Sequence, residues 1–226
     1  MRFIYYGHAC FALEIGGKHL LFDPFISPNE LAKAIDPQTV PADFILISHA
    51  HFDHLADAEA IAKRTDATII TNWEIYEYFK KKGFEKIFPM NVGGKADFDF
   101  GTLKCVIAQH SSSFPDGSYG GTAMGFVIKS QEGNLYYSGD TGLSLDMQLI
   151  PSFAVLNYAV MPIGDVITMG IEDAVRAAHM LSCHKVIGVH YNTWGTIELD
   201  KDKAFELFNR NGLELILPEI GSGMDL

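Results

Sequence analysis

Residues 48–54 read Ser-His-Ala-His-Phe-Asp-His, three imidazoles and a carboxylate directly behind the apolar run Phe44–Ser48. This density of metal-seeking groups constrains the fold more than any other feature of the chain. The apolar run must be a short strand that stops at an edge where further ligands gather, because loops at strand ends are where scaffolds of this kind carry chemistry. Side chains of an extended or turning segment alternate with a period of two, so His49 and His51 point to one side and reach one ion. Asp53 and His54 lie past the turn, where a helix begins, and can face a second ion nearby. Further candidates also follow strands: His110 after Thr102–Ala108, and His190 after Lys185–Val189. Asp140 sits in Ser138-Gly139-Asp140-Thr141-Gly142, where glycine on both sides lets the backbone turn and expose the carboxylate. Taken singly, His110, Asp140 and His190 read as ordinary polar residues; their shared position at strand ends makes them candidates.

The rest of the pattern fits such an edge. Arg2–Tyr6, Cys10–Ile15 and His19–Phe22 are β-type runs, with a hairpin turn at Gly16 and Gly17. Strand then alternates with helix: Phe44–Ser48, a helix over Asp57–Lys63, a strand at Ala67–Thr71, and a helix over Trp73–Lys82 with Thr71 and Glu74 as capping box and Gly83 as stop. Strands are expected at Thr102–Ala108, Thr122–Ser130 and Asn134–Ser138. The closing part alternates again: strand Val155–Met161, helix Ile171–Leu181, strand Lys185–Val189, helix Lys201–Arg210 and strand Leu213–Leu217. Hairpins followed by helix and strand units, once in each half, predict an α/β (α+β) fold, a four-layer αββα sandwich of two facing sheets with helices outside. No linker, low-complexity tract or repeat interrupts residues 1–226, so one domain is expected.

Composition excludes some functions. The chain holds 28 acidic against 17 basic residues, a formal net charge of −11. Nucleic acid is therefore not expected as a partner, since general phosphate attraction needs basic side chains that displace counterions. An anionic small molecule stays open, because bound cations can outweigh surrounding carboxylates. Cys10, Cys105 and Cys183 are odd in number and far apart, and read as reduced core residues. The charge-free stretch between Asp146 and Asp165 is broken by Pro151, Ser152, Asn157 and Pro162, so it predicts a helix end, a turn and a buried strand rather than a membrane span. With no signal-peptide pattern at the N-terminus, a cytoplasmic location is expected.

The His49–His54 segment, HAHFDH, resembles the HxHxDH signature of the metallo-β-lactamase fold superfamily, and His110, Asp140 and His190 follow in that family's order across essentially the whole chain. Gly7-His8-Ala9-Cys10-Phe11, Leu21-Phe22-Asp23-Pro24-Phe25, Pro162-Ile163-Gly164-Asp165 with Thr168-Met169-Gly170, and His190-Tyr191-Asn192-Thr193 look like the small metal-dependent hydrolases compared with ascorbate-6-phosphate lactonase. The resemblance implies that His49, His51 and His110 bind one divalent ion, Asp53, His54 and His190 a second, and that Asp140 bridges them. Zinc is the first expectation; manganese, iron and nickel also suit these donors.

The expected activity is that of a hydrolase using a metal-bridging hydroxide on a small ester-like bond: a lactone, phosphodiester or thioester. Asp53, Asp140 and His8 are the expected catalytic residues, His8 by lining the pocket or donating to a substrate oxygen, with a structural role in packing its loop as the alternative. Asp23 is read as a hydrogen-bond partner of a ligand histidine, or else as the cap of a turn before Pro24. The Ser- and Gly-rich stretch 110–121 reads as a mobile loop and substrate cover. An iron-dependent redox enzyme of the same fold and a non-catalytic metal-containing binding protein are the alternatives. The partner is a small-molecule substrate, with neither membrane nor nucleic acid, and a homo-oligomer is compatible.

Overall fold

A computed structural model describes residues 1–226. Two seven-stranded sheets face each other. The first contains β1 (Arg2–Gly7), β2 (Cys10–Ile15), β3 (Lys18–Phe22), β4 (Phe44–Leu46), β5 (Thr68–Thr71) and β6 (Ile87–Pro89). The second contains β7 (Lys95–Phe98), β8 (Gly101–Ile107), β9 (Met124–Lys129), β10 (Asn134–Tyr137), β11 (Tyr158–Pro162), β12 (Lys185–Val189) and β13 (Glu214–Ile216), while β14 (Gly223–Asp225) returns to the first sheet beside β1. Strand order is β14-β1-β2-β3-β4-β5-β6 in one and β13-β12-β11-β10-β9-β8-β7 in the other. Each sheet changes from antiparallel to parallel partway across, at β3 in the first and at β10 in the second. The parallel strands need helical crossovers, and these cover the outer faces: α1 (Phe52–Leu55), α2 (Ala58–Thr65) and α3 (Trp73–Lys81) in the first half, α4 (Ile171–Met180) and α5 (Lys201–Arg210) in the second.

Three apolar layers hold this four-layer αββα sandwich. Between the sheets, Phe3, Phe11, Leu13 and Phe22 meet Leu103, Phe126, Ile128 and Tyr137. Phe11 and Phe22 stack at 4.4 Å between ring centroids, and Tyr137 stands edge-on to Phe22 at 5.7 Å. Outside the first sheet, Ala12, Leu21, Ile45 and Ile69 are covered by Ile61, Ile75 and Phe79. Outside the second, Val127, Tyr136, Ala159, Met161 and Val186 are covered by Ala174, Ala178, Ala204 and Phe208. The alternation is visible within β4, where Ile45 faces the helices and Leu46 the inner layer.

The β2–β3 hairpin closes at Gly16 and Gly17, with φ of 60° and 70° across the Ile15 and Lys18 pair. Both turn residues are left-handed, which a tight hairpin of right-twisted strands demands. Some boundaries differ from the sequence expectation. The cap of α3 is Asn72, whose side chain accepts from the Ile75 amide at 2.9 Å; Thr71 is the last residue of β5 and donates its hydroxyl to Ile47. The helix end expected after Asp146 is a 3-10 helix over Leu145–Ser152, where Pro151 has no amide to continue an α-helical ladder. The strand after it starts at Tyr158, not at Val155, which is exposed. β6, β7 and β14 were not expected: each is short and two are marked by charged residues. No helix is long and apolar enough to cross a membrane.

The inner aromatic layer sets the spacing of the sheets. Replacing Phe22 by Ala is expected to cost about 3–5 kcal/mol of unfolding free energy, measured by urea denaturation, since the void opens between two sheets that cannot both close on it.

Candidate metal centre

The expected ligands meet at one edge of the sandwich. His49 and His51 follow β4, Asp53 and His54 belong to α1, and from the second sheet come His110 beyond β8, Asp140 beyond β10 and His190 beyond β12. Three donor groups form: His49, His51 and His110 in one, Asp53, His54 and His190 with His8 in a second, and Asp23 with His49 and His54 in a third, the ligand atoms of each lying within 4.8 Å of one another. Asp140 lies between the first two. Its Oδ2 is 3.0 Å from His190 Nε2, 3.2 Å from His54 Nε2 and 3.7 Å from His110 Nε2.

The fit of this set to ions rests on how the nitrogens are left. His54 Nε2 and His190 Nε2 are buried and make no well-formed hydrogen bond, although carboxylate oxygens lie beside them. Donors that converge on a shared point without pointing at each other have the arrangement of ligands around a cation, and a buried imidazole nitrogen without a partner is otherwise costly. Neutral imidazoles with carboxylates suit zinc and related divalent ions.

Asp23, at the end of β3, holds the ligand edge together. Its Oδ2 accepts from Tyr137 Oη at 2.6 Å, Ser48 Oγ at 2.6 Å and His54 Nδ1 at 2.8 Å, and its Oδ1 accepts from the Ser48 amide at 2.7 Å. Four donors converge on this carboxylate, one of them His54 Nδ1, so Asp23 orients His54 from the side away from Asp140. Ser48 Oγ also lies 2.9 Å from His49 Nδ1, fixing the neighbouring imidazole.

His8 occupies a different place from a pocket wall. It is buried, with Nε2 at 2.9 Å from Asp53 Oδ2 and Nδ1 at 2.7 Å from Thr193 Oγ1, and its carbonyl accepts from the His190 amide and from Tyr5 Oη. Both ring nitrogens face protein atoms, so His8 bears on Asp53 instead of meeting a substrate directly. The stretch 110–121 is also fastened rather than loose. Ser112 Oγ accepts from the Ala50 amide and donates to Gly120, and Phe114 stacks on Tyr78 at 4.5 Å. Two features escape sequence reasoning: the Thr193 contact to His8, and the aromatic group Phe25, Phe52 and Trp194 beside the imidazoles. Aromatic residues close in sequence to ligand histidines or to Asp23 were the available signal.

The backbone at this edge is strained. His8, Asp23, His190 and Asn192 have φ of 55°, 40°, 57° and 61°, a left-handed conformation costing about 1–2 kcal/mol each for residues with a Cβ. The hydrogen bond from the His190 amide to the His8 carbonyl, at 2.8 Å, ties two of these residues together. Next to Asp140 a glycine is required: a Cβ on Gly139, at φ 60°, would lie 2.8 Å from the Met124 carbonyl oxygen.

Charge at the site is unevenly shared. Burial pushes His49 well below the ordinary histidine range. Burial also opposes charge on His190, but Asp140 and Asp53 outweigh it and raise its pKa to about 9; His54 is likewise raised against its burial, by Asp140, Asp53 and Asp23. Asp53 and Asp140 stay ionised despite burial, held well below the usual carboxylate range by His54 and His190. With no cation present, the carboxylates thus draw protons onto the two imidazoles that an ion would need neutral.

Chelator-treated protein is expected to show two linked pH effects. The His190 contribution to stability is fully present below its ordinary pKa of 6.5 and is lost as pH rises through about 9. Metal binding should release protons and tighten as pH rises toward 9. Calorimetric metal titrations in buffers of different ionisation enthalpy, with melting curves at pH 7 and 9, measure both effects; an affinity independent of pH over this range would contradict them.

Residues 18–191 match the family model described as the beta-lactamase superfamily domain. The chain is 50% identical over 227 residues to a UPF0173 metal-dependent hydrolase of Christiangramia forsetii, covering 100% of both chains. It is 51% identical over 208 residues to a protein of the same name from Methylacidiphilum infernorum, covering 92% of each. Among solved structures, Igni18, a metallo hydrolase from the archaeon Ignicoccus hospitalis, superposes with a TM-score of 0.89 at 32% identity, over 99% of this chain and 97% of that one. Signature, sandwich and ligand edge agree with these likenesses: the chain belongs to the UPF0173 family of the beta-lactamase superfamily.

Proposed function

We propose that this metal-dependent hydrolase cleaves a small ester-like bond, a lactone, thioester or phosphodiester, at a site that holds two divalent ions. The observation carrying this reading is Asp140, whose Oδ2 stands within 3.7 Å of imidazoles from the first two donor groups. In this reading His49, His51 and His110 hold one ion, Asp53, His54 and His190 the other, and Asp140 spans both. Such a pair, when bound, supplies Lewis acidity and a water acidic enough to ionise near neutral pH, so no serine or cysteine nucleophile is needed. Zinc is the first expectation, with manganese, iron and nickel suited to the same donors.

The chain's own groups divide the remaining work. Asp53 is the most exposed carboxylate of the cluster, at 18% for its side chain against 3% for Asp140. Ionised and partly open to solvent, it is placed to accept a hydrogen bond from the attacking water and orient it. His8 holds the Asp53 carboxylate in one orientation, with Thr193 behind it. Asp23 fixes His54 in the same manner.

Asp140→Ala is expected to lower turnover of a chromogenic ester by at least about a thousandfold while circular dichroism stays unchanged. Metal analysis by mass spectrometry should find about two equivalents per wild-type chain. Undiminished activity in the variant overturns the mechanism, and a single iron per chain would favour the redox alternative.

A further inference from the structure

The stretches nearest the ligands carry no Lys or Arg; the β3–β4 connection reaches its first one at Lys33, which is exposed. Residues 8–9, 23–32, 47–57, 108–123, 138–144, 163–170 and 190–200 include neither Lys nor Arg, although the chain has 17 such residues elsewhere. On the outer side Lys82 shares a depression with Phe52, but its ammonium is bound to Glu59 at 2.5 Å and sits over the Tyr78 ring. Phosphate esters are commonly held by Arg forks or Lys in addition to metal, and nothing in these stretches provides either.

Aromatic surface is present at the edge in their place. Phe25 is buried and anchors two exposed rings, Phe52 at 5.9 Å and Trp194 at 6.3 Å. Trp194 lies 4.8 Å from the His8 ring and 6.4 Å from the His190 ring, and is 41% exposed. Singly exposed aromatics need no explanation, but Trp194 beside His8 and His190, continued by Phe25 to Phe52, offers apolar surface next to the imidazoles. The neighbouring loop 163–170, tied to the cluster by the Met169 amide on the Thr141 carbonyl, adds Val166 and Ile167, both exposed.

We propose that the site takes an uncharged acyl substrate, a carboxylic ester, lactone or thioester, with an apolar arm lying against Trp194 and Phe52, the two exposed rings that Phe25 backs, and that it disfavours phosphate esters. This rests on the hydrolase reading above. In the reaction water adds across the acyl bond: its oxygen joins the acyl carbon, the bond to the leaving oxygen or sulfur breaks, and one proton passes to the leaving group while the acid ionises.

The metal-loaded protein is assayed on p-nitrophenyl phenylacetate, p-nitrophenyl acetate and bis(p-nitrophenyl) phosphate. The phenylacetate is expected to show the highest kcat/KM, about tenfold above the acetate. Trp194→Ala should reduce that ratio about tenfold, mainly through KM, and Trp194→Phe should restore most of it. A preference for the phosphodiester, or a ratio unaltered in Trp194→Ala, overturns the proposal and leaves the hydrolase reading standing. Turnover of none of the three by protein with its ions bound defeats the hydrolase reading instead. The wall is then judged by binding: in Trp73→Phe protein Trp194 is the one tryptophan, and its emission reports titrations with phenylacetamide and phenyl phosphate. Tighter binding of phenylacetamide supports the aromatic wall; tighter binding of phenyl phosphate, or binding of neither, overturns it.

Discussion

The carboxylate of Asp23 joins the two sheets and the ligand edge in one buried cluster of hydrogen bonds. It receives Tyr137 from the second sheet, Ser48 from the end of β4 and His54 from α1, all within 2.8 Å. A buried carboxylate is destabilising unless its lone pairs are filled, and here the filling groups are the ones that must be placed for metal binding. Phe11 and Phe22 stack on each other and both stand edge-on to the Tyr137 ring, which sets where Tyr137 Oη can reach. Packing and ligand geometry are therefore coupled: a shift in the inner aromatic layer moves Tyr137, and with it the hydrogen bonding that orients His54.

Much of the site was legible because its residues are local. HAHFDH compresses four donors into six positions behind a strand, and strand periodicity assigns their sides. Asp140 was recognisable by its flanking glycines, and the structure gives Gly139 a steric reason. The contacts of His8 were not legible: Asp53 is 45 residues away and Thr193 is 185 away, and no periodicity connects them. The aromatic wall was missed for the same reason, since Phe25, Phe52 and Trp194 come from separate loops and each reads locally as a core or turn residue. Among secondary elements the long alternating runs were readable, whereas β14, Gly-Met-Asp, owes its strand form entirely to pairing with β1. The α3 cap shifted by one residue because Asn72, not Thr71, has left the sheet when the helix begins.

The overall acidity of the chain and its local distribution carry different information. A net charge of −11 argues against polyanionic partners at long range, but a cluster of bound cations could reverse that locally. The stretches nearest the ligands add a local contribution of another kind: they hold aromatic and small polar side chains, with no fixed positive charge beyond what the ions bring. On the proposed reading, selectivity at such a site comes from shape and apolar contact against the Trp194 side, while the metal-binding side supplies the common chemistry. This division agrees with a scaffold whose reactive groups are pinned by the sheets while its rim is free to vary.

The ligands are divided between the sheets, His49, His51, Asp53 and His54 on the first and His110, Asp140 and His190 on the second. Neither half of the molecule has a complete set. The site is consequently a product of docking: it is complete only when the two layers have met in register, and on the proposed reading the free energy of ion capture goes into holding them together. An ion in this position is a rivet as well as a reagent, and a chain that has folded only halfway has neither.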